Sequence, residues 1–197
     1  MSFKTEANDC SSISGNIGAK IAYFFKTHLL FALVLPFLLA TQAVKAESPP
    51  IETLNAGIND AWFSPTTAGQ GFFITVYPDL GVVALAWFTY DTELPPPEAE
   101  ANLGNPGHRW MTAAGTIDGN QAIMDITITR GGLFDTTTET QRTDPPGSDG
   151  TITLTFEDCS AGLVEYDIAS INQQGSIPIQ RVAADNIALC EALITGE

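Results

Sequence analysis

The nine-residue run Val82 to Tyr90, VVALAWFTY, constrains the fold of this chain more than any other stretch. On a strand, Val83, Leu85 and Trp87 fall on one side and Val82, Ala84, Ala86 and Phe88 on the other, so both faces are apolar. Upstream, Phe72 to Tyr77 has the same aromatic and β-branched character, and Pro78-Asp79-Leu80-Gly81 between the two runs supplies turn formers with separate steric reasons. Gly69 to Asp91 therefore reads as a β-hairpin. Because neither face of its second strand belongs in water, the hairpin is expected inside a closed or two-layered β structure.

The period of two continues downstream. His108 to Ile117 resumes strand character around Trp110, and Asp118-Gly119 carries the two-residue type I′ hairpin signal. Ala122 to Thr129 puts Met124, Ile126 and Ile128 on one face and Asp125, Thr127 and Thr129 on the other. Ile152, Leu154 and Phe156 alternate with threonines, and Val164, Tyr166 and Ile168 with Glu165 and Asp167. After a turn expected at Asn172 to Gly175, Ile177, Ile179 and Arg181 continue the buried face of a last strand. Two long polar loops interrupt the pattern: Thr92 to Gly107, whose three successive prolines cannot enter a sheet interior, and Gly131 to Gly150. The period then changes, and Asp185 is placed to cap a short C-terminal helix in which Ile187, Cys190 and Leu193, or Leu189 and Leu193, share a face. About eight sequential strands with short turns predict an all-β antiparallel meander closing into a small up-and-down barrel, with a β-sandwich as the alternative. An outer-membrane barrel is disfavoured, because lipid would meet Asp125, Glu157, Glu165 and Asp167.

The first part of the chain stands apart. Leu29 to Ala43 is apolar, follows Lys20 and Lys26, and precedes Val44-Lys45-Ala46, a small-residue pattern suited to cleavage before Glu47; residues 1–46 read as a signal peptide. An uncleaved anchor over residues 21–45 is the alternative, although Pro36 interrupts it and a bilayer span needs roughly 20 apolar residues. Residues 47–60 read as a polar lead-in and residues 61–197 as one β domain. Export would remove all four lysines and leave four arginines, Arg109, Arg130, Arg142 and Arg181, against 21 carboxylates, a formal charge of −17. Such a surface repels nucleic acid and anionic lipid. Of three cysteines, Cys159 and Cys190 remain after cleavage and are expected to pair, as an oxidising compartment allows; the bond closes a loop of about 30 residues, worth about 3 kcal/mol. A metal site is not expected, because His108 is the one histidine left and a tetrahedral site wants four N or S donors. The localisation expected is periplasmic or extracellular.

Trp62, Gly69-Gln70-Gly71-Phe72, Trp87-Phe88-Thr89-Tyr90-Asp91, Gly107-His108-Arg109-Trp110, Gly131-Gly132-Leu133-Phe134, Phe156-Glu157-Asp158-Cys159, Tyr166, Ile177-Pro178-Ile179-Gln180-Arg181 and Cys190 occur in an order and spacing that resembles exported bacterial proteins of gammaproteobacterial type carrying a WFTYD-type β domain. The similarity covers nearly all of Ala61 to Leu193. The resemblance implies export and a shared β domain, and it carries no catalytic residue to this chain.

Candidate sites follow from residue type. Trp62, Trp87 and Trp110, with Phe72, Phe88 and Tyr90, either pack the core or line a cavity for an apolar or glycan ligand. His108, beside Arg109, could bind an anion or act as a base; the competing reading is a strand-end residue hydrogen-bonded to its loop. No G-x-S-x-G elbow, phosphate loop or calcium-loop spacing is present. Arg181 sits inward on an apolar strand and must be paired, with Asp91 as the expected partner and Asp158 as the other candidate. The function expected is non-catalytic binding of an extracellular or envelope component, or of a small apolar ligand, by a monomer without a cofactor. The alternatives are an enzyme with a site at the barrel mouth near His108, Arg109 and Tyr90, and a membrane-tethered envelope protein.

Overall fold

The computed structural model describes residues 48–143 and 148–196, so the signal-peptide or anchor segment 1–46 lies outside the described residues. No helix among the described residues is long and apolar enough to cross a membrane. In chain order the strands are β1 (Asp60–Phe63), β2 (Gly71–Tyr77), β3 (Val82–Tyr90), β4 (His108–Asp118), β5 (Gln121–Thr127), β6 (Thr129–Arg130), β7 (Gln141–Arg142), β8 (Gly150–Phe156), β9 (Ala161–Ile168) and β10 (Gln173–Arg181), followed by helix α1 (Ile187–Thr195). Eight of them close a barrel in the order β1-β10-β9-β8-β5-β4-β3-β2, every pair antiparallel. The remaining two, β6 and β7, form a small ribbon on the long loop between β5 and β8. The barrel rather than the sandwich is the outcome, because each hairpin turn hands the chain to its spatial neighbour until the first and last strands meet.

Alternation decides which residues fill the interior. Ile74, Val83, Leu85, Met124, Ile126, Ile152, Leu154, Phe156 and Val164 are all buried. Tyr166 is partly buried against them, its ring 5.2 Å from that of Trp87. The outward face of β3 corrects the sequence reading that both its faces must be covered. Phe88 is 46% exposed and Val82, Ala84 and Ala86 are half-buried. Two of these outward residues are alanines, which present little apolar area, and Phe88 gains partial cover from the edge of Phe73 across the β2–β3 pair, at 5.7 Å.

The two ends of the barrel differ. One end receives the turns β2–β3, β4–β5 and β8–β9, and there the supposed lead-in joins the core. Ile51, Leu54 and Ile58 are buried, and the Ile51 and Leu54 N–H groups donate to the Glu157 and Gly119 carbonyls. A 3-10 turn at Ala56–Ile58, capped by the Asn55 side chain, then leads into β1. Helix α1 lies over this turn, and Cys190 is bonded to Cys159 with their Cα atoms 5.9 Å apart. A Cβ on Gly57 would come within 2.3 Å of the Cys190 backbone, so only glycine permits this approach. This end is sealed.

Several local readings shift. The β4–β5 turn residues are Gly119-Asn120, flanked by the pair Asp118 and Gln121, and the positive φ falls on Gly119 alone, so the turn is not type I′. The β9–β10 turn is a 3-10 turn at Ala169–Ile171 closed by left-handed Asn172, and Gln173 to Gly175 already belong to β10. Asp185 does not cap α1. Asn186 precedes the helix and uses its amide to donate to the Asn59 carbonyl, while Leu189 and Leu193 face solvent and Ile187, Cys190 and Ile194 face the core. Closure of the barrel rests on a short seam, in which β1 meets β10 only at Trp62–Arg181 and Phe63–Gln180. Pro178 lies on β10 below that seam, paired only with Leu163 of β9, where its missing N–H costs the ladder nothing.

Candidate binding site at the barrel mouth

Arg181 ends β10 inside the sealed end, and its surroundings correct the expected partner. Its Nη1 donates to Asp60 Oδ2 at 2.8 Å, Nη2 to the Gly57 carbonyl at 2.6 Å and Nε to the Cys159 carbonyl at 2.6 Å. The guanidinium carbon also lies 4.4 Å from the Trp62 ring centre. Neither Asp91 nor Asp158 is the partner. Asp91 is at the opposite end of the barrel, and the Asp158 carboxylate closes its own turn by accepting from Ser160 and Ala161. Each of the three nitrogens of this arginine therefore donates to the 3-10 turn, β1 or the β8–β9 turn and holds them together. Arg181 is a structural group, buried at the end away from the cavity.

The other end of the barrel is open. Strand alternation carries the inward stripe of β3 from Trp87 to Thr89 and Asp91, that of β4 from Met111 back to Arg109, and that of β5 from Ile126 to Ile128, after which the chain enters the β6–β7 ribbon at Thr129 and Arg130. On all three the apolar stripe turns polar or charged at the mouth. Thr89, Asp91, Arg109, Met111, Ile128 and Arg130 line a cavity of about 470 Å³ with the β9–β10 turn as another wall, through Ile168, Ser170 and Ile171. Buried Met111 and Ile168 form its floor. Asp149, itself buried, fixes that wall: its Oδ1 accepts the Ser170 N–H at 2.9 Å and its Oδ2 the Ser170 hydroxyl at 2.6 Å.

Arg109 donates through Nη2 to Asp91 Oδ2 at 2.6 Å and through Nη1 to the Pro106 and His108 carbonyls, each at 2.7 Å. The two side chains are 48% and 40% exposed, against 3% and 13% for Arg181 and Asp60. Arg130 has no ion-pair partner among the described residues. Beyond the cavity, the loops that spring from this end present Leu94, Leu103, Leu133 and Phe134 to solvent.

The sequence-nominated residues separate into three groups. Trp62 and Trp87 are core: Trp62 packs on Phe156 at 4.8 Å and donates its indole N–H to the Ile58 carbonyl, and Trp87 packs on Phe72 at 5.1 Å. Tyr90, His108 and Trp110 border the cavity from the outward face of β3 and β4, with Tyr90 and His108 rings 5.5 Å apart. Of these residues, Arg109 alone lines the cavity from the inward face. His108 Nδ1 accepts the Asn105 N–H at 3.3 Å, which is the loop-tethering role, and the Asp91 carboxylate at this rim is engaged by Arg109. The Ser170 hydroxyl donates to Asp149, so no nucleophile–imidazole–carboxylate relay is assembled from these groups. Among the described residues no group of three or more His, Cys, Asp or Glu side chains could hold a metal ion.

Sequence reasoning did not nominate Met111, Ile128, Arg130 or the Ile168 to Ile171 wall as site residues. For the first three the signal was there: continuing the Met124, Ile126, Ile128 alternation by one step reaches Arg130. No protein-family model, curated protein or solved structure matches the chain.

Proposed function

We propose that this protein is an exported, non-catalytic binding module, akin to the bacterial WFTYD-type domains it resembles, that takes a small ligand into the open end of its barrel. One observation carries the reading: of two barrel ends built from the same kind of strand, one is sealed by the N-terminal segment, a helix and a disulfide, and the other keeps a cavity with an apolar floor and a charged rim. Its volume is within the range of about 300–1,000 Å³ typical of small-molecule sites. The disulfide fits an oxidising, exported compartment, and the periplasm or cell exterior is where the module would act. A signal peptide over residues 1–46 would deliver it there.

The test is native mass spectrometry of the protein recovered from its host, alongside an Ile171→Trp variant. Ile171 is exposed on the β9–β10 turn, so the substitution narrows the mouth without entering the core. A small-molecule adduct on the wild type that is lost in the variant is the expected result. An adduct retained by the variant would put the ligand elsewhere and end this reading.

A further inference from the structure

Resting on the mouth as the binding site, we infer that its ligand class is a small amphipathic anion: an apolar body seated on Met111, Ile128, Ile168 and Ile171, with a carboxylate, sulfonate or similar group held by Arg130. Three features converge on this chemistry. Downstream of residue 46 the chain has four arginines and no lysine, and Arg181 is consumed in the sealed end. The other three, Arg109, Arg130 and Arg142, are exposed residues on elements of the open end, so in a strongly acidic protein the solvent-facing arginines are gathered there. Carboxylates are spread over both ends and the outer wall: Asp91, Glu93, Glu98, Glu100, Asp135 and Glu139 at the open end, Asp118 and Glu157 at the sealed end, and Asp125 and Glu165 between.

Within the cavity the two lining arginines are not equivalent. Arg109 is bound to Asp91 and to two carbonyls, which offsets its charge and fixes its plane. Arg130, on β6 just beyond Ile128, lines the cavity, is exposed, and has no ion-pair partner among the described residues. Its planar fork suits a two-oxygen acceptor. Asp91, which lines the same cavity, disfavours a second anionic group on the same ligand. The mouth therefore selects a monoanion over a dianion.

Two fluorescent probes of similar shape test this on the full chain: anilinonaphthalene sulfonate, which carries one negative charge, and phenylnaphthylamine, which carries none. The mouth component of each titration is the part lost on Ile171→Trp. Arg130→Gln is expected to weaken the mouth component of the sulfonate about tenfold, as loss of one charge-assisted hydrogen bond would, and to leave that of the neutral probe unchanged. A sulfonate affinity unchanged in Arg130→Gln, or an equal loss for both probes, overturns the anion assignment while the mouth remains a binding site. If Ile171→Trp removes no component of either probe, the mouth reading itself fails.

Discussion

Two aspartate–arginine pairs among the described residues are of nearly equal length, 2.8 Å for Asp60–Arg181 and 2.6 Å for Asp91–Arg109, at opposite ends of one barrel. What separates them is water. The first pair is shut in behind the 3-10 turn, Trp62 and the disulfide, where an unpaired charge cannot be solvated. The second is about half exposed, where solvent screens the attraction and hydrates either partner left alone. Bond length is therefore a poor guide to what each pair does. The buried pair helps to define the fold, and the exposed pair shapes the rim of a site.

That contrast makes an ordered set of expectations. Asp60→Ala leaves the Arg181 guanidinium buried with only carbonyl and ring partners and is expected to cost about 4 kcal/mol, read as a shift in the guanidinium unfolding midpoint. A loss below about 1 kcal/mol would mean that water reaches Arg181 and that the end is not sealed. Replacing both Cys159 and Cys190 with alanine is expected to cost about 3 kcal/mol, an effect the wild type should reproduce when unfolded in a strong reductant. Free labelling of both cysteines in the oxidised protein would remove the premise. Asp91→Ala is expected to change stability by less than about 1 kcal/mol, while tightening the mouth's hold on an anionic probe by freeing Arg109. Destabilisation matching that of Asp60→Ala would erase the difference between the ends.

Much of this was legible in the chain because side-chain period is a local property. The alternations in β5, β8 and β9 name buried residues without any knowledge of partners, and they hold for Met124, Leu154, Val164 and Ile168. The inward position of Arg181 was legible for the same reason. Its partner was not: Asp60 is 121 residues away, in a stretch whose polar composition hides the three apolar residues that matter, Ile51, Leu54 and Ile58. Spacing that follows no period of two or 3.6 gives no pattern to detect, and only the closed barrel end shows what those residues cover.

The mouth divides along the same line. Thr89, Asp91, Arg109 and Arg130 follow from extending alternation past the apolar residues. Ser170 and Ile171 do not, since their place depends on a turn closed by Asn172 in the left-handed conformation, a role more often signalled by glycine. The aromatic residues misled for a chemical reason. Tyr90 and Trp110 look like ligand-stacking groups by type, yet parity puts them on the outer wall, where they border the cavity without forming its floor.

Amide hydrogen exchange read by mass spectrometry tests the asymmetry of the two ends most directly. Peptides covering Ile51 to Ile58, Cys159 and Cys190 should exchange only at the rate of global unfolding, while those covering Asp91 to Gly107 and Ala169 to Asn172 should exchange by faster local opening. Equal protection at the two ends, or faster exchange around Cys190 than around Ser170, would contradict a barrel sealed at one end and open for binding at the other.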